Sequence, residues 1–178
     1  MCQNHCTTAI QAPQTQLAIH LPDWINDLVD WHQPLHSDDE KMALAIELAK
    51  QNVLRGTGGP FASIIVHRES GALLSVGVNQ VVAQNNSTLH GEVMAIMLGE
   101  QRLQQFSLGS QIDEYELFTS CEPCAMCMGA ILWSGVKRLA CAATGDDARA
   151  IGFDEGPVFE QSYDYLRNAG IEVIRQLQ

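Results

Sequence analysis

His90-Gly91-Glu92 and, further along the chain, Pro123-Cys124-Ala125-Met126-Cys127 decide how this sequence is read. Together they offer one imidazole, two thiols and one carboxylate. One imidazole and two thiolates leave the fourth position of a tetrahedral zinc ion open for water, as catalytic sites do and closed structural sites do not. We therefore expect one Zn2+ per chain, held by His90, Cys124 and Cys127. Glu92, two positions from His90, is placed to reach a water on the metal instead of the metal itself.

The same residues predict local structure. Pro123 suits the first turn of a helix, where its missing amide hydrogen is no loss. Cys124 and Cys127, three apart, then share one face near that helix's start. The positive end of the helix favours thiolates, the forms that bind metal. His90 and Glu92 open a second helix running to about Gln105, with Val93, Met94, Ile96, Met97 and Leu103 apolar. Side by side, the two helices would bring four functional groups to one point.

Other readings of the thiols stand beside this one. Alone, Cys124-x-x-Cys127 also fits a redox pair or two buried thiols. Cys121 extends it to C-x-x-C-x-x-C, the start of an iron–sulfur run, but Met128-Gly129-Ala130-Ile131 lacks the fourth Cys followed by Pro that such a run needs. We read Cys121 as strand-end packing and Cys141 as core. Cys2, His5 and Cys6 are metal-binding residue types in an aperiodic N-terminal stretch.

Outside these motifs, Ser37-Asp38-Asp39-Glu40 is a capping box. Met42, Ile46, Ala49 and Val53 follow at helical spacing, and Gly56 closes the helix. Residues 22–31 predict a shorter helix with Trp24, Leu28 and Trp31 on one stripe. Residues 61–66 and 72–79 predict two strands joined by a tight turn at Arg68-Glu69-Ser70-Gly71, an antiparallel hairpin. Strands are also expected at 115–119, 138–142 and 171–174, and helices at 123–133 and 158–168. This alternation after residue 90 argues for crossovers and parallel pairing. The expected fold class is α/β, a three-layer mixed sheet with helices on both faces. Residues 1–20 are read as a flexible arm and residues 21–178 as one domain.

With 178 residues, 46% of them hydrophobic, the chain supports a sizeable core. Lys and Arg number 10 against 21 Asp and Glu, a net charge of −11. Arg55, Arg68, Arg102, Lys137 and Arg138 form no basic run. Nucleic-acid affinity depends on Lys and Arg neutralising phosphates, so no nucleic-acid partner is expected and a small molecule is favoured. No basic-then-apolar leader is visible in residues 1–12, and no apolar run approaches the roughly 18 residues of a membrane span. Six cysteines are too sparse for a disulfide scaffold. We expect a cytoplasmic location and no membrane partner.

From about Gly58 to Gly156 the chain resembles the cytidine-deaminase-like superfamily, in the branch of nucleobase and tRNA-adenosine deaminases. Gly59-Pro60-Phe61, Gly77-Val78-Asn79, His90-Gly91-Glu92 and residues 119–130 fall in that family's order. H-x-E followed by P-C-x-x-C is its zinc signature. Family members usually carry Ala where this chain has Gly91. Ala150-Ile151-Gly152-Phe153-Asp154-Glu155-Gly156-Pro157 resembles the segment after the fourth strand in bacterial guanine deaminases, where an acidic pair after Gly-Phe reaches the purine. The resemblance implies a five-stranded mixed sheet, a homodimer and a small nucleobase substrate, guanine foremost. Cytosine, 8-oxoguanine and amino-triazines such as ammeline are alternatives. Adenosine in tRNA is a further one, opposed by the acidic charge. In guanine deaminases a C-terminal segment covers the pocket, often from the neighbouring subunit. Here Gln178 follows the last strand closely, so a short or missing lid is expected.

On this reading Glu92 takes a proton from the zinc-activated water and returns protons to the ring nitrogen and departing amine, giving xanthine and ammonia from guanine. A non-catalytic zinc scaffold would have no use for Glu92. Glu155, with Asp154, is the second acid–base candidate; a solvated turn is the plainer alternative. Asn79 is a candidate to hydrogen-bond the base, against backbone capping. Phe61 is a candidate to stack on it, against plain core. Trp133 walls the pocket or fills a helix–sheet interface. Met94, Met97, Met126 and Met128 are read as packing, and His20, His32, His36 and His67 are given no role.

Overall fold

Ser37 begins the longest helix by satisfying amides that a helix start leaves open. Its hydroxyl accepts from the Glu40 amide at 3.2 Å, and Glu40 accepts from the Ser37 amide at 2.9 Å. Helix α2 runs from there over Asp38–Leu54, and Gly56 follows it at φ +66°, a conformation that suits glycine. In a computed structural model of the chain, the described residues are 15–109, 114–154, 156 and 158–177. Cys2, His5 and Cys6 lie outside them, as does most of the expected arm.

The buried face of α2 differs from the expected stripe. Met42 and Ala49 face inward with Ala45, Leu48 and Asn52, whereas Ile46 and Val53 are 46% and 48% exposed. Both sets have helical spacing, so period alone could not choose between them. Ahead of α2, the helix expected over 22–31 is a single turn, α1 (Ile25–Leu28). Trp24 is buried and Leu28 and Trp31 pack against the same core.

Strands β1 (Ala62–His67) and β2 (Leu73–Val78) form the expected antiparallel hairpin, with Gly71 at φ +70° in its turn. Strand β3 (Tyr115–Cys121) pairs antiparallel to β1; β4 (Arg138–Ala143) and β5 (Glu172–Ile174) then add in parallel. The order is β2-β1-β3-β4-β5. Helix α3 (Gly91–Leu103) links β2 to β3, and α4 (Ala125–Ser134) links β3 to β4. Two helices, α5 (Gly145–Ala150) and α6 (Glu160–Asn168), lie between β4 and β5. One core joins α1 and α2 to one sheet face, and a second joins α3, α4 and α6 to the other. This is the expected three-layer α/β/α mixed sheet. Helix α5 was not anticipated, although Thr144 and Asp147 form a second capping box at its start.

Buried charge ties α2 to the sheet. Glu116 accepts from Lys41 at 2.5 Å and from Arg138 at 3.0 Å, and Arg138 forks onto both oxygens of Asp38. Among the described residues no helix is long and apolar enough to cross a membrane.

Candidate active site and metal centre

Two glycines let the first turn of α3 lie against the hairpin. A Cβ on Gly77 would fall 2.1 Å from the Gly91 carbonyl oxygen and 2.4 Å from the Ala95 amide nitrogen. A Cβ on Gly91 would fall 3.0 Å from the Ala62 Cα. His90 is the residue capping α3, and Glu92 is its second residue. Opposite them, Cys124 caps α4 and Cys127 is its third residue. Pro123 therefore precedes the cap and does not occupy the first turn as expected. Cys124 is extended, at φ −68° and ψ 172°, so the helix starts only at Ala125. Cap and third-residue side chains meet over a helix start, as they do in a capping box, and here both carry sulfur.

Packing of α3 on α4 joins the two sets. His90 Nδ1 lies 3.7 Å from Cys124 Sγ, and Cys127 Sγ lies 3.4 Å from Glu92 Oε2. Ligand atoms of His90, Cys124 and Cys127 all fall within 4.8 Å of one another. Atoms bound at about 2.0–2.3 Å around a tetrahedral zinc lie roughly 3.3–3.8 Å apart, so these three fit one ion.

The electrostatics point the same way. Cys124 is held down to about 4, first by a hydrogen bond from the Cys127 thiol and then by His90. The same contact, with burial, pushes Cys127 up. Without a cation the sulfurs thus divide one charge between them; a divalent ion would stabilise both as thiolates. Glu92 is buried, and that burial pushes its carboxyl up to about 7.

Residues 35–143 match the family described as the cytidine and deoxycytidylate deaminase zinc-binding region. The chain belongs to this family. It is 40% identical over 117 residues to the guanine deaminase of Bacillus subtilis, spanning 66% of this chain and 71% of that one. It is 32% identical over 136 residues to the tRNA-specific adenosine deaminase of Haemophilus influenzae, spanning 76% and 73%. A solved structure of guanine deaminase from Nitrosomonas europaea matches with a TM-score of 0.87 at 38% identity, covering 93% of this chain and 91% of that one. This chain is accordingly a zinc-dependent hydrolytic deaminase.

Around the deaminase centre, the remaining expected residues occupy varied positions. Asn79 is largely buried at the end of β2, and its Oδ1 accepts from the Val81 amide at 3.3 Å, a capping contact. Phe61 is buried and meets Phe153 edge-on, with centroids 5.3 Å apart. Cys121 and Ala148 complete that small cluster, which anchors the start of the acidic segment beside β1. Asp154 is exposed and accepts from the Gly156 amide at 3.0 Å. Glu155 lies outside the described residues. Trp133 is 84% exposed, so it does not fill a helix–sheet interface. Helix α4 turns Cys127, Met128, Ile131 and Ser134 inward, which leaves position 133 facing out. Met94 and Met128 pack as expected, while Met126 is 37% exposed. Cys121 and Cys141 are buried, as expected of strand packing and core.

Asn52 was not anticipated. It is fully buried in α2, and its Nδ2 donates to the carbonyls of Gly59 and Asn79, both at 2.9 Å. Its Oδ1 accepts from the Thr57 hydroxyl at 2.8 Å. It therefore ties the loop before Phe61 to the end of β2. The one available signal was a polar residue on the inward stripe of an amphipathic helix.

Proposed function

We propose that this deaminase converts guanine and water to xanthine and ammonia. The extent of the likeness carries the assignment: 93% of the chain matches the Nitrosomonas europaea guanine deaminase structure, well beyond the zinc-binding region at 35–143. The higher identity to the Bacillus subtilis guanine deaminase, 40% against 32% for the tRNA-specific enzyme, supports it. A net charge of −11 suits a small neutral base better than a polyanion.

In this proposal His90, Cys124 and Cys127 hold the zinc. When bound, zinc acts as a Lewis acid that lowers the pKa of water to roughly 7. Glu92 takes the proton of the attacking water and delivers protons to the ring nitrogen and to the amine leaving C2. A carboxyl pushed up to about 7 by burial exchanges protons readily near neutral pH. Glu155, with Asp154, serves the opposite edge of the purine. Asn79, whose Oδ1 is taken by Val81, offers its Nδ2 to a ring acceptor. Phe61 supplies an aromatic wall, braced by Phe153.

We further infer a homodimer. Residues 125–133 of α4 carry no charged side chain, amide or hydroxyl, and Met126, Leu132 and Trp133 are 37%, 36% and 84% exposed. A helix apolar all round is normally covered all round, and a second copy would bring Trp133 into a pocket wall. We also infer a cytoplasmic location, which six cysteines too sparse for a disulfide scaffold support. Residues 21–178 act as one domain.

Ammonia release from guanine, cytosine, 8-oxoguanine, ammeline and adenosine-bearing tRNA tests the substrate. Guanine should give the largest kcat/KM, by roughly tenfold or more. A larger value for any other member overturns the assignment.

A further inference from the structure

Arg175 follows β5, yet its side chain reaches the turn that presents Cys124. Its Nε donates to Glu122 Oε1 at 2.7 Å, and its Nη1 donates to both Glu160 oxygens at 2.9 and 3.1 Å. The guanidinium carbon stands 4.2 Å from the centroid of the Tyr163 ring, and Tyr163 is buried on α6. Two carboxylates and an aromatic face together fix the plane of a guanidinium, which a Lys ammonium cannot reproduce.

Glu122 is held from the other side as well. Its Oε2 accepts from the Gly145 amide at 3.0 Å, at the start of α5, and its own amide donates to the Ala143 carbonyl at 2.8 Å. Only 11% of its side chain is exposed. Cys121 Sγ also reaches the Thr144 carbonyl at 3.5 Å. The residues just before Cys124 are thus clamped between β4, α5 and the segment after β5. Arg175 is the one ion-pair partner of Glu122 among the described residues.

We propose that Arg175 is a positioning residue for the metal turn: by holding Glu122 it fixes Pro123 and Cys124, so the grip on zinc depends on the far end of the chain. Groups that orient metal ligands from behind typically change metal affinity or activity by roughly 10–100-fold when removed. Removing Arg175 would leave a mostly buried carboxylate without its cation, and the turn would shift to reach water. This rests on His90, Cys124 and Cys127 binding zinc and is independent of which base is deaminated.

The experiment uses the full-length zinc-loaded protein, whose zinc content is measured first; absence of zinc there would count against the metal reading itself. Zinc release to a chromophoric chelator is followed for Arg175→Met, Arg175→Lys and Glu122→Gln, well below each variant's Tm. Arg167→Met, which removes only an exposed pair with Asp164, is the comparison. Release should speed up roughly 10–100-fold in Arg175→Met, partway in Arg175→Lys, and not at all in Arg167→Met. Adding Glu122→Gln to Arg175→Met should change little further. Release at the parental rate in Arg175→Met, with a lowered Tm alone, would mean simple packing and overturn the proposal. If Arg175→Met does not fold, parental release in Glu122→Gln overturns it equally.

Discussion

The Cys127 sulfur lies 3.4 Å from the Glu92 carboxylate, across 35 residues of sequence. A candidate metal ligand and the acid–base candidate are therefore in direct contact, each on the first turn of its own helix. Neither helix start would place its group without the other, because α3 and α4 must pack together for the contact to exist.

Glu92→Gln keeps the shape and hydrogen-bonding length of the side chain while removing its capacity to carry a proton. Zinc content should stay near one per chain, since the candidate ligands are three other residues. Turnover should fall by about 10²–10⁴-fold. Metal analysis paired with ammonia release checks both halves, and a variant that keeps most of its turnover would falsify the role.

Gly77→Ala should be severe and Gly91→Ala mild. The added Cβ at 77 meets backbone atoms of α3 at 2.1 and 2.4 Å, which no side-chain rotation relieves; at 91 it meets Ala62 at 3.0 Å. We expect a loss of about 3 kcal/mol or more for the first and about 1 kcal/mol for the second. Urea unfolding midpoints measure the difference, and equal losses would contradict the close approach of β2 and α3.

Asn52→Ala strands the Gly59 carbonyl, while the Asn79 carbonyl keeps its hydrogen bond from Gln80 Nε2 at 3.1 Å. Each unsatisfied buried group costs about 1–3 kcal/mol. Stability should drop by that order and KM for the base should rise, while zinc content stays unchanged. Steady-state kinetics and metal analysis on the same preparation separate this from damage to the metal centre.

Asp38 gives a pH signature. Hydrogen bonds from Arg138 hold its carboxyl below the ordinary carboxylate range. A depressed folded value means stability that is present above the unfolded value and is lost as pH falls through the folded one. Asp38→Asn should therefore be less stable than the parent at pH 7, with the gap closing as pH drops below 3.8, the ordinary value. Denaturant titrations at pH 7, 4 and 2 read this directly; a gap that widens toward acid would reverse the sign.

Much of the centre was legible because metal chemistry restricts both residue type and spacing. His90, Glu92, Cys124 and Cys127 were all expected to converge, and their side chains do. The capping box at Ser37 and the hairpin turn at Gly71 were equally readable, since each is completed within a few residues. The inward face of α2 was not, because Met42 and Ala49 belong to two overlapping stripes and only contact with the sheet selects one. The outward direction of Trp133 was not readable for a related reason: on a helix apolar all round, no polar position marks the outside.

Chain order alone dictates the candidate ligand types, the helix starts and the strand alternation, since each is marked by residue type and spacing within a short stretch. Packing chooses the rest. The carbonyls that Asn52 satisfies lie 7 and 27 positions away, and Arg175 meets Glu122 across 53. Such partnerships carry no local period or composition, and they come into being when loops close and distant segments share one buried volume.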